Sequence, residues 1–529
     1  MTDQTCTRQK RIITNLGYFC HEAAKRDPHR IAIYDLFGGT ERPISYGRLE
    51  ERMDRVARLL YQSGLKPGDR LALVTANRYE FVEVLFGAMR AGIVPVPLSS
   101  RLGTDMLTYI VRDADCVGAV VEPDCNAAIQ AVIEAIPIDK RFALGQVPQG
   151  WIDYERAIES VPARFAPPAL PADHPAFQPY TSGSTGRAKG VVLTHAGQLW
   201  WIRCAQRFWP VDPKGRALVA VPLYHKNAMA GAIKPRLHVG SSVVLLPDFE
   251  PVRFLETLAR YRITKAGAVP TVYSLLLQHR DHIARLDLSA LQHLSIGSAP
   301  VSTTLVEEIA ATFGCTVSES YGLTEGGPVM FGNSLDGRPT PRGSCGAAWP
   351  EGEVKLVAAD GREDPQFGEL WVKNPGVTTG YHNLPEVNAE RLVDGWLRTG
   401  DLFYRDSEGF FYFRGRTDDM FKCGGESVYP KEVENILLGH PDVVDACVVP
   451  VSHALKGQVP AAQVMLRRPD STDSESIKQY FIANGPAYAH PRFVEIVDRI
   501  PLNSAGKNDR KLLGKQLEQR YGAHKFKGH

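Results

Sequence analysis

Short apolar runs alternate with amphipathic stretches through the first 330 residues, and this alternation constrains the fold more than any other feature. The runs Leu71–Val74, Val94–Leu98, Val117–Val121, Leu218–Leu223 and Val243–Leu246 have the length of strands. Between them the apolar spacing is helical. Leu49, Met53, Val56 and Leu60 recur at steps of three and four within Tyr46–Gln62, and Phe254, Leu255, Leu258 and Tyr261 do the same later. Strands that are apolar throughout are buried on both faces, the condition of a parallel sheet covered by helices. The pattern predicts an α/β fold built from βαβ units. Val161–Pro175, rich in Pro and Ala, reads as an exposed connector.

Near Gly352 the character changes. Glu353–Val357 and Glu369–Lys373 read as short strands between Gly and Asp turns, and Asp406–Gly409 followed by Phe410–Arg414 reads as a hairpin. A distinct unit begins near Thr417. It reads helix (Pro430–Leu438), strand (Val443–Pro450), strand (Ala461–Leu466), helix (Ser474–Ala483), strand (Phe493–Asp498) and helix (Arg510–Arg520). The expected organisation is therefore a large N-terminal domain of βαβ subdomains with a small β-barrel-like subdomain, residues 1–416. A small mobile α+β C-terminal domain, residues 417–529, follows. No internal repeats occur.

Net charge is +2, from 61 basic and 59 acidic residues, which argues against a nucleic-acid partner. Nine cysteines are scattered without a CxxC pair, which points to reduced thiols and a cytoplasmic location. The first 30 residues carry no apolar core run, so no signal peptide is expected. No stretch reaches the roughly 18 apolar residues of a membrane span.

The strongest local signal is Tyr180-Thr181-Ser182-Gly183-Ser184-Thr185-Gly186-Arg187-Ala188-Lys189-Gly190. Its glycines let backbone N–H groups approach an anion, and its hydroxyls and Lys189 add donors. A phosphate chain is the natural ligand, although a Ser/Thr/Gly stretch is by composition also an ordinary loop. The Walker spacing GxxxxGK[ST] is absent.

This segment resembles the phosphate-binding signature of the acyl-adenylate-forming superfamily, the AMP-binding enzymes that include acyl-CoA synthetases. Four further segments resemble that family's signatures in the family's order: Tyr321-Gly322-Leu323-Thr324-Glu325, Thr399-Gly400-Asp401, Gly415-Arg416-Thr417-Asp418-Asp419, and Pro501-Leu502-Asn503-Ser504-Ala505-Gly506-Lys507. The resemblance implies a carboxylic acid–CoA ligase. ATP and the acid form an acyl-adenylate, and the acyl group then passes to coenzyme A, with release of pyrophosphate and AMP.

It also implies roles. Glu325 is expected to ligate Mg²⁺ and Thr324 to bond the α-phosphate. Thr181, Ser182, Gly183, Ser184, Thr185, Gly186 and Lys189 would hold the phosphates. Gly297, Ser298, Ala299 and Ser320 would wall the adenine, with Tyr321 stacked on the base. Asp401 would accept from the ribose hydroxyls, helped by Arg416. Lys507 would bridge the acid and the α-phosphate, and Asp418 would be the hinge on which the small domain turns. Lys422, Gly424 and Gly425 would then face the CoA thiol, or Lys422-Cys423-Gly424-Gly425 is simply a turn. Ser427 stands where luciferases and coumarate ligases usually carry glutamine.

The acyl pocket is expected beside Val221–Met229. His225 falls at the family's gating histidine. Lys226 and Asn227 bind a polar group on the acid or point to solvent. Gly322, Gly326 and Gly327 suggest room for a ring, while Met229, Ile296 and Leu323 suggest an apolar acyl group. The alternative acceptor is a carrier-protein phosphopantetheine thiol, acting in trans. A luciferase-type oxygenase and a non-catalytic nucleotide binder are further readings. HExxH and GxSxG are absent. The expected partners are small molecules (a carboxylic acid, ATP and CoA), with a monomer or homodimer as the assembly.

Overall fold

The structure is a computed structural model. It describes residues 14–135, 140–182, 187–208, 211–297, 301, 303–327, 330–332, 334, 336–502 and 508–522. Among these, the strands form five sheets.

Two of the sheets carry the βαβ pattern. The first orders Thr316–Glu319, His293–Ile296, Lys265–Ala268, Arg216–Val219, Ser242–Leu245, Ile31–Asp35 and Arg42–Ser45; only the last pairs antiparallel. The second orders Val94–Pro97, Arg70–Val74, Cys116–Val121, Lys140–Ala143 and Ile152–Asp153, all parallel. The helix Tyr46–Gln62 matches its expected bounds. Ser45 caps it by accepting from the Arg48 N–H, and Leu49, Met53, Val56 and Leu60 are all buried. Each such apolar side chain contributes about 1.5–3 kcal/mol on full burial.

The expected strand Leu218–Leu223 runs instead from Arg216 to Val219, because Pro222 lacks the N–H a ladder needs. Within the Val161–Pro175 connector, Val161 and Phe165 are 7% and 6% exposed, so it is pinned to the core rather than exposed along its length.

The Gly352 region forms a seven-stranded antiparallel sheet. The barrel-like subdomain expected there is this sheet, whose pairings run as an open path from Phe331–Gly332 to Glu353–Val357. The elements after Thr417 have their own sheet and their own core, including Leu437, Val448, Ala461, Phe481, Leu513 and Leu517. That unit touches the larger one through Arg467, whose Nη1 lies 2.6 and 2.7 Å from the two Glu308 carboxylate oxygens.

Candidate active site

The phosphate-loop segment forms the hairpin Tyr180–Ser182 and Ala188–Thr194. Register places Thr181 directly across from Lys189, so both project from one face. Thr181 Oγ1 donates to Glu325 Oε1 at 3.0 Å, and the Tyr381 hydroxyl donates to the same oxygen at 3.3 Å. Lys189 Nζ lies 5.5 Å above the Tyr381 ring, within cation–π range. The Glu325 backbone is held as well, its carbonyl accepting from Thr378 N–H at 2.7 Å. Tyr381 is a site residue that the sequence reading missed. Its strand, Gly380–Tyr381, pairs with the lysine strand but spans only two residues, too few for any periodicity to show.

Among the described residues no group of three or more His, Cys, Asp or Glu is arranged to hold a metal. Glu325 offers a lone, half-buried carboxylate. That donor set fits Mg²⁺ carried by a nucleotide, because this ion keeps phosphate and water oxygens and takes one or two carboxylates from a protein.

Tyr321, Asp401, Arg416 and Asp418 form a second group. Asp401 and Arg416 are register partners in the ladder between Trp396–Arg405 and Phe410–Arg416. Arg416 Nη1 donates to Asp401 Oδ1 at 2.8 Å, and its Nε donates to Asp418 Oδ1 at 2.8 Å. The Tyr321 hydroxyl donates to Asp401 Oδ2. Burial pushes the Asp401 carboxyl above its usual range, partly offset by the Arg416 charge and the Tyr321 hydrogen bond. Gly400 precedes it within the strand at φ +74°, where a Cβ would lie 2.9 Å from Arg391 Nη1, so this position requires glycine. The Tyr321 ring packs on Phe331 and Phe403, with centroids 5.6 and 4.7 Å away. Gly297 and Ser320 lie side by side at the ends of their parallel strands; a Cβ at Gly297 would be 3.5 Å from Ser320 Oγ. Thr324 is half-buried beside Glu325.

On the acyl side, His225 Nδ1 caps the next turn by accepting from Asn227 N–H at 3.4 Å. The helix then widens to a π-turn at Met229–Ile233 before continuing as Lys234–Val239. Pro235, which cannot donate an i→i−4 bond, accounts for the widening. Lys226 is 9% exposed, which overturns its solvent-facing reading. Lys234 is 1% exposed and donates to Gln198 Oε1; burial and the nearby Lys226 charge bring it down to about 7. Met229 and Ile296 are buried.

The expected space at two glycines is filled. A Cβ at Gly326 would be 2.8 Å from Leu323 Cδ2, and one at Gly327, with φ +78°, would be 2.5 Å from Asn374 Oδ1. Those glycines permit close backbone packing and do not open room for a ring. Gly322 is exposed.

In the small domain Gly424 and Gly425, at φ +60° and +94°, make the two-residue turn between Phe421–Cys423 and Glu426–Val428. Positive φ at both central positions is what such a hairpin turn demands. Lys422 is exposed and donates to Ser427 Oγ at 2.8 Å. A bridge between Leu502 and Asn508 brackets the lysine loop, and Asn508 Nδ2 donates to Asp445 Oδ1 at 3.3 Å. Arg510 then anchors the following helix on Glu434, at 2.6 Å. Gly183, Ser184, Thr185, Gly186, Ser298, Ala299 and Lys507 lie outside the described residues, as does the Ser182 side chain.

Against known families, residues 20–382 match the AMP-binding enzyme model and residues 432–507 match the AMP-binding enzyme C-terminal domain. The chain belongs to the AMP-binding enzyme family. A feruloyl-CoA synthase from Amycolatopsis sp is 33% identical over 513 residues, covering 96% of this chain and 99% of the relative. A relative named fatty acid–[acyl-carrier-protein] ligase ScoC, from Streptomyces coeruleorubidus, is 30% identical, covering 91% and 92%. Among solved structures, ATP-bound MatB from Rhodopseudomonas palustris superposes with a TM-score of 0.86 at 30% identity, over 96% of this chain and all of that one (100%). The chain therefore has the full AMP-binding architecture around the two groups described above. No helix among the described residues is long and apolar enough to cross a membrane.

Proposed function

We propose that this AMP-binding enzyme is a carboxylic acid–CoA ligase, forming an acyl-adenylate from ATP and passing the acyl group to the thiol of CoA. The observation that carries the reading is the meeting of Thr181, Lys189, Tyr381 and Glu325. The chemistry brings a carboxylate against an α-phosphate, so two anions must be neutralised and aligned.

In this reading Lys189 and the phosphate-loop donors hold the triphosphate, and Thr324 bonds the α-phosphate. Glu325, oriented by Thr181 and Tyr381, ligates the Mg²⁺ that arrives with ATP, and the ion lowers the phosphate charge. Asp401, kept in place by Arg416 and Tyr321, binds the ribose. Lys507 supplies a compact cation between acid and phosphate. The division at 416/417, with Asp418 as hinge, lets the small domain present Lys507 first and the Gly424–Gly425 turn second. The buried Met229 and Ile296 favour a largely apolar acyl group, and His225 takes the gating role beside it in this reading.

A panel of carboxylic acids assayed for AMP release with ATP, with and without CoA, tests the proposal. AMP release that requires both an acid and CoA is the expected result. No AMP from any acid, with ATP binding intact, would overturn it. Comparing free CoA with a carrier-protein thiol identifies the acceptor.

A further inference from the structure

Outside this site a buried arginine lies beside two half-buried bases. Lys265 and His293 are the first residues of neighbouring parallel strands and are register partners. Adjacent strands lie about 4.8 Å apart, so the two side chains stand next to each other. Their strand neighbours Ala266 and Leu294 point the other way, into an apolar core. Arg236, from the helix Lys234–Val239, is 5% exposed; its carbonyl accepts from Ser241 N–H, and Ser241 Oγ donates to the carbonyl of Gly215, which leads into the strand paired with that of Lys265. The positive charges of Arg236 and Lys265 both act on His293, and that of Arg236 acts on Lys265. Ser318 Oγ, on the next strand, is 2.7 Å from His293 Nε2.

Among the described residues Arg236 has no acidic partner. Its Nε is buried without a hydrogen-bond acceptor among the described residues, and no carboxylate contributes to its electrostatics. Burial lowers it only to about 10, so it stays charged at neutral pH. A buried guanidinium holds five donors in a fixed fork and is retained where an anion or other acceptor meets it. The cluster is also separate from the nucleotide end. His293 lies four residues before Gly297, roughly 13 Å along the strand at about 3.3 Å per residue. Ser295 Oγ covers the face of Gly267 between them, where a Cβ would lie 2.5 Å from it.

We infer that Arg236, Lys265 and His293, with Ser318, form a binding site for a small oxyanion of the phosphate, sulfate or carboxylate class. The guanidinium offers a two-pronged grip, Lys265 a point charge, and the neutral imidazole a further donor. The oxyanion comes either free from solution or as the far end of an acid bearing a second anionic group.

The test is thermal unfolding of the full chain, titrated with sodium sulfate or phosphate at constant ionic strength. The expected result is a saturable rise in Tm of roughly 2–4 °C, lost in Arg236→Met and in Lys265→Met. If one variant fails to fold, the other carries the comparison. Equal responses in wild type and variant would reduce the effect to general salting-out and overturn the site. Dicarboxylic acids and monoacids of matched length, compared by AMP release, distinguish the sources. A loss of about tenfold or more in kcat/KM for diacids alone in Arg236→Met assigns the oxyanion to the substrate. Unchanged acid preference with the Tm response intact assigns it to a free anion. The unfolding arm stands whether or not the ligase reading holds.

Discussion

Thr181 Oγ1 donates a 3.0 Å hydrogen bond to Glu325 Oε1, joining the phosphate-loop hairpin to a carboxylate 144 residues further along the chain. A hydroxyl that fixes one carboxylate oxygen orients the group before any metal-bound phosphate arrives. The ordering is thus built into the fold and is not charged to the reacting complex.

Glu325→Gln keeps the shape and the Thr181 acceptor but removes the charge. Acid-dependent ATP–pyrophosphate exchange is expected to fall by about 10²–10³, with a higher Mg²⁺ requirement. Exchange within about threefold of wild type would remove Glu325 from the metal role.

Arg416 ties Asp401 to Asp418. Arg416→Met leaves the 5%-exposed Asp401 with the Tyr321 hydroxyl and the Arg391 charge as stabilising partners, and a loss of roughly 1–3 kcal/mol in stability is expected. Asp401→Asn added to that variant should recover stability yet not ATP affinity. Recovery of both, by denaturant melts and nucleotide titration, would show that Asp401 has no part in binding.

Asp445 gives a pH signature. Burial raises it to about 6, against an ordinary carboxyl of 3.8. Between those values the folded chain binds the extra proton, so stability from this group grows as pH falls from about 6 toward 4. Above 6 the buried charge is a cost. Asp445→Asn should stabilise the small domain by about 1 kcal/mol at pH 8, after allowance for its partial exposure, and by nothing near pH 4. A constant difference across that range would assign the effect to packing.

The parallel sheets were legible because apolar runs and helical spacing report burial directly, and the Tyr46–Gln62 helix shows this to the residue. Tertiary closeness was not legible. Tyr381 reaches Glu325 from a two-residue strand, and Lys265 pairs in register with His293 through a sheet order the sequence does not state. Gly326 and Gly327 misled for the same reason. A glycine signals absent bulk, but only the fold says whether a ligand or Leu323 and Asn374 use the space. For Lys226 the sequence left a polar contact in the acyl pocket and a solvent-facing position both open, because lysine is usually solvated, and packing rules out the second.

The central claim, that a cation in the lysine loop joins two anions in the first step only, is tested most directly with Lys507→Ala assayed in separate halves. Exchange from acid and ATP should fall at least about a hundredfold, while thioester formation from supplied acyl-AMP and CoA stays within about threefold. Equal loss of both halves would contradict the account.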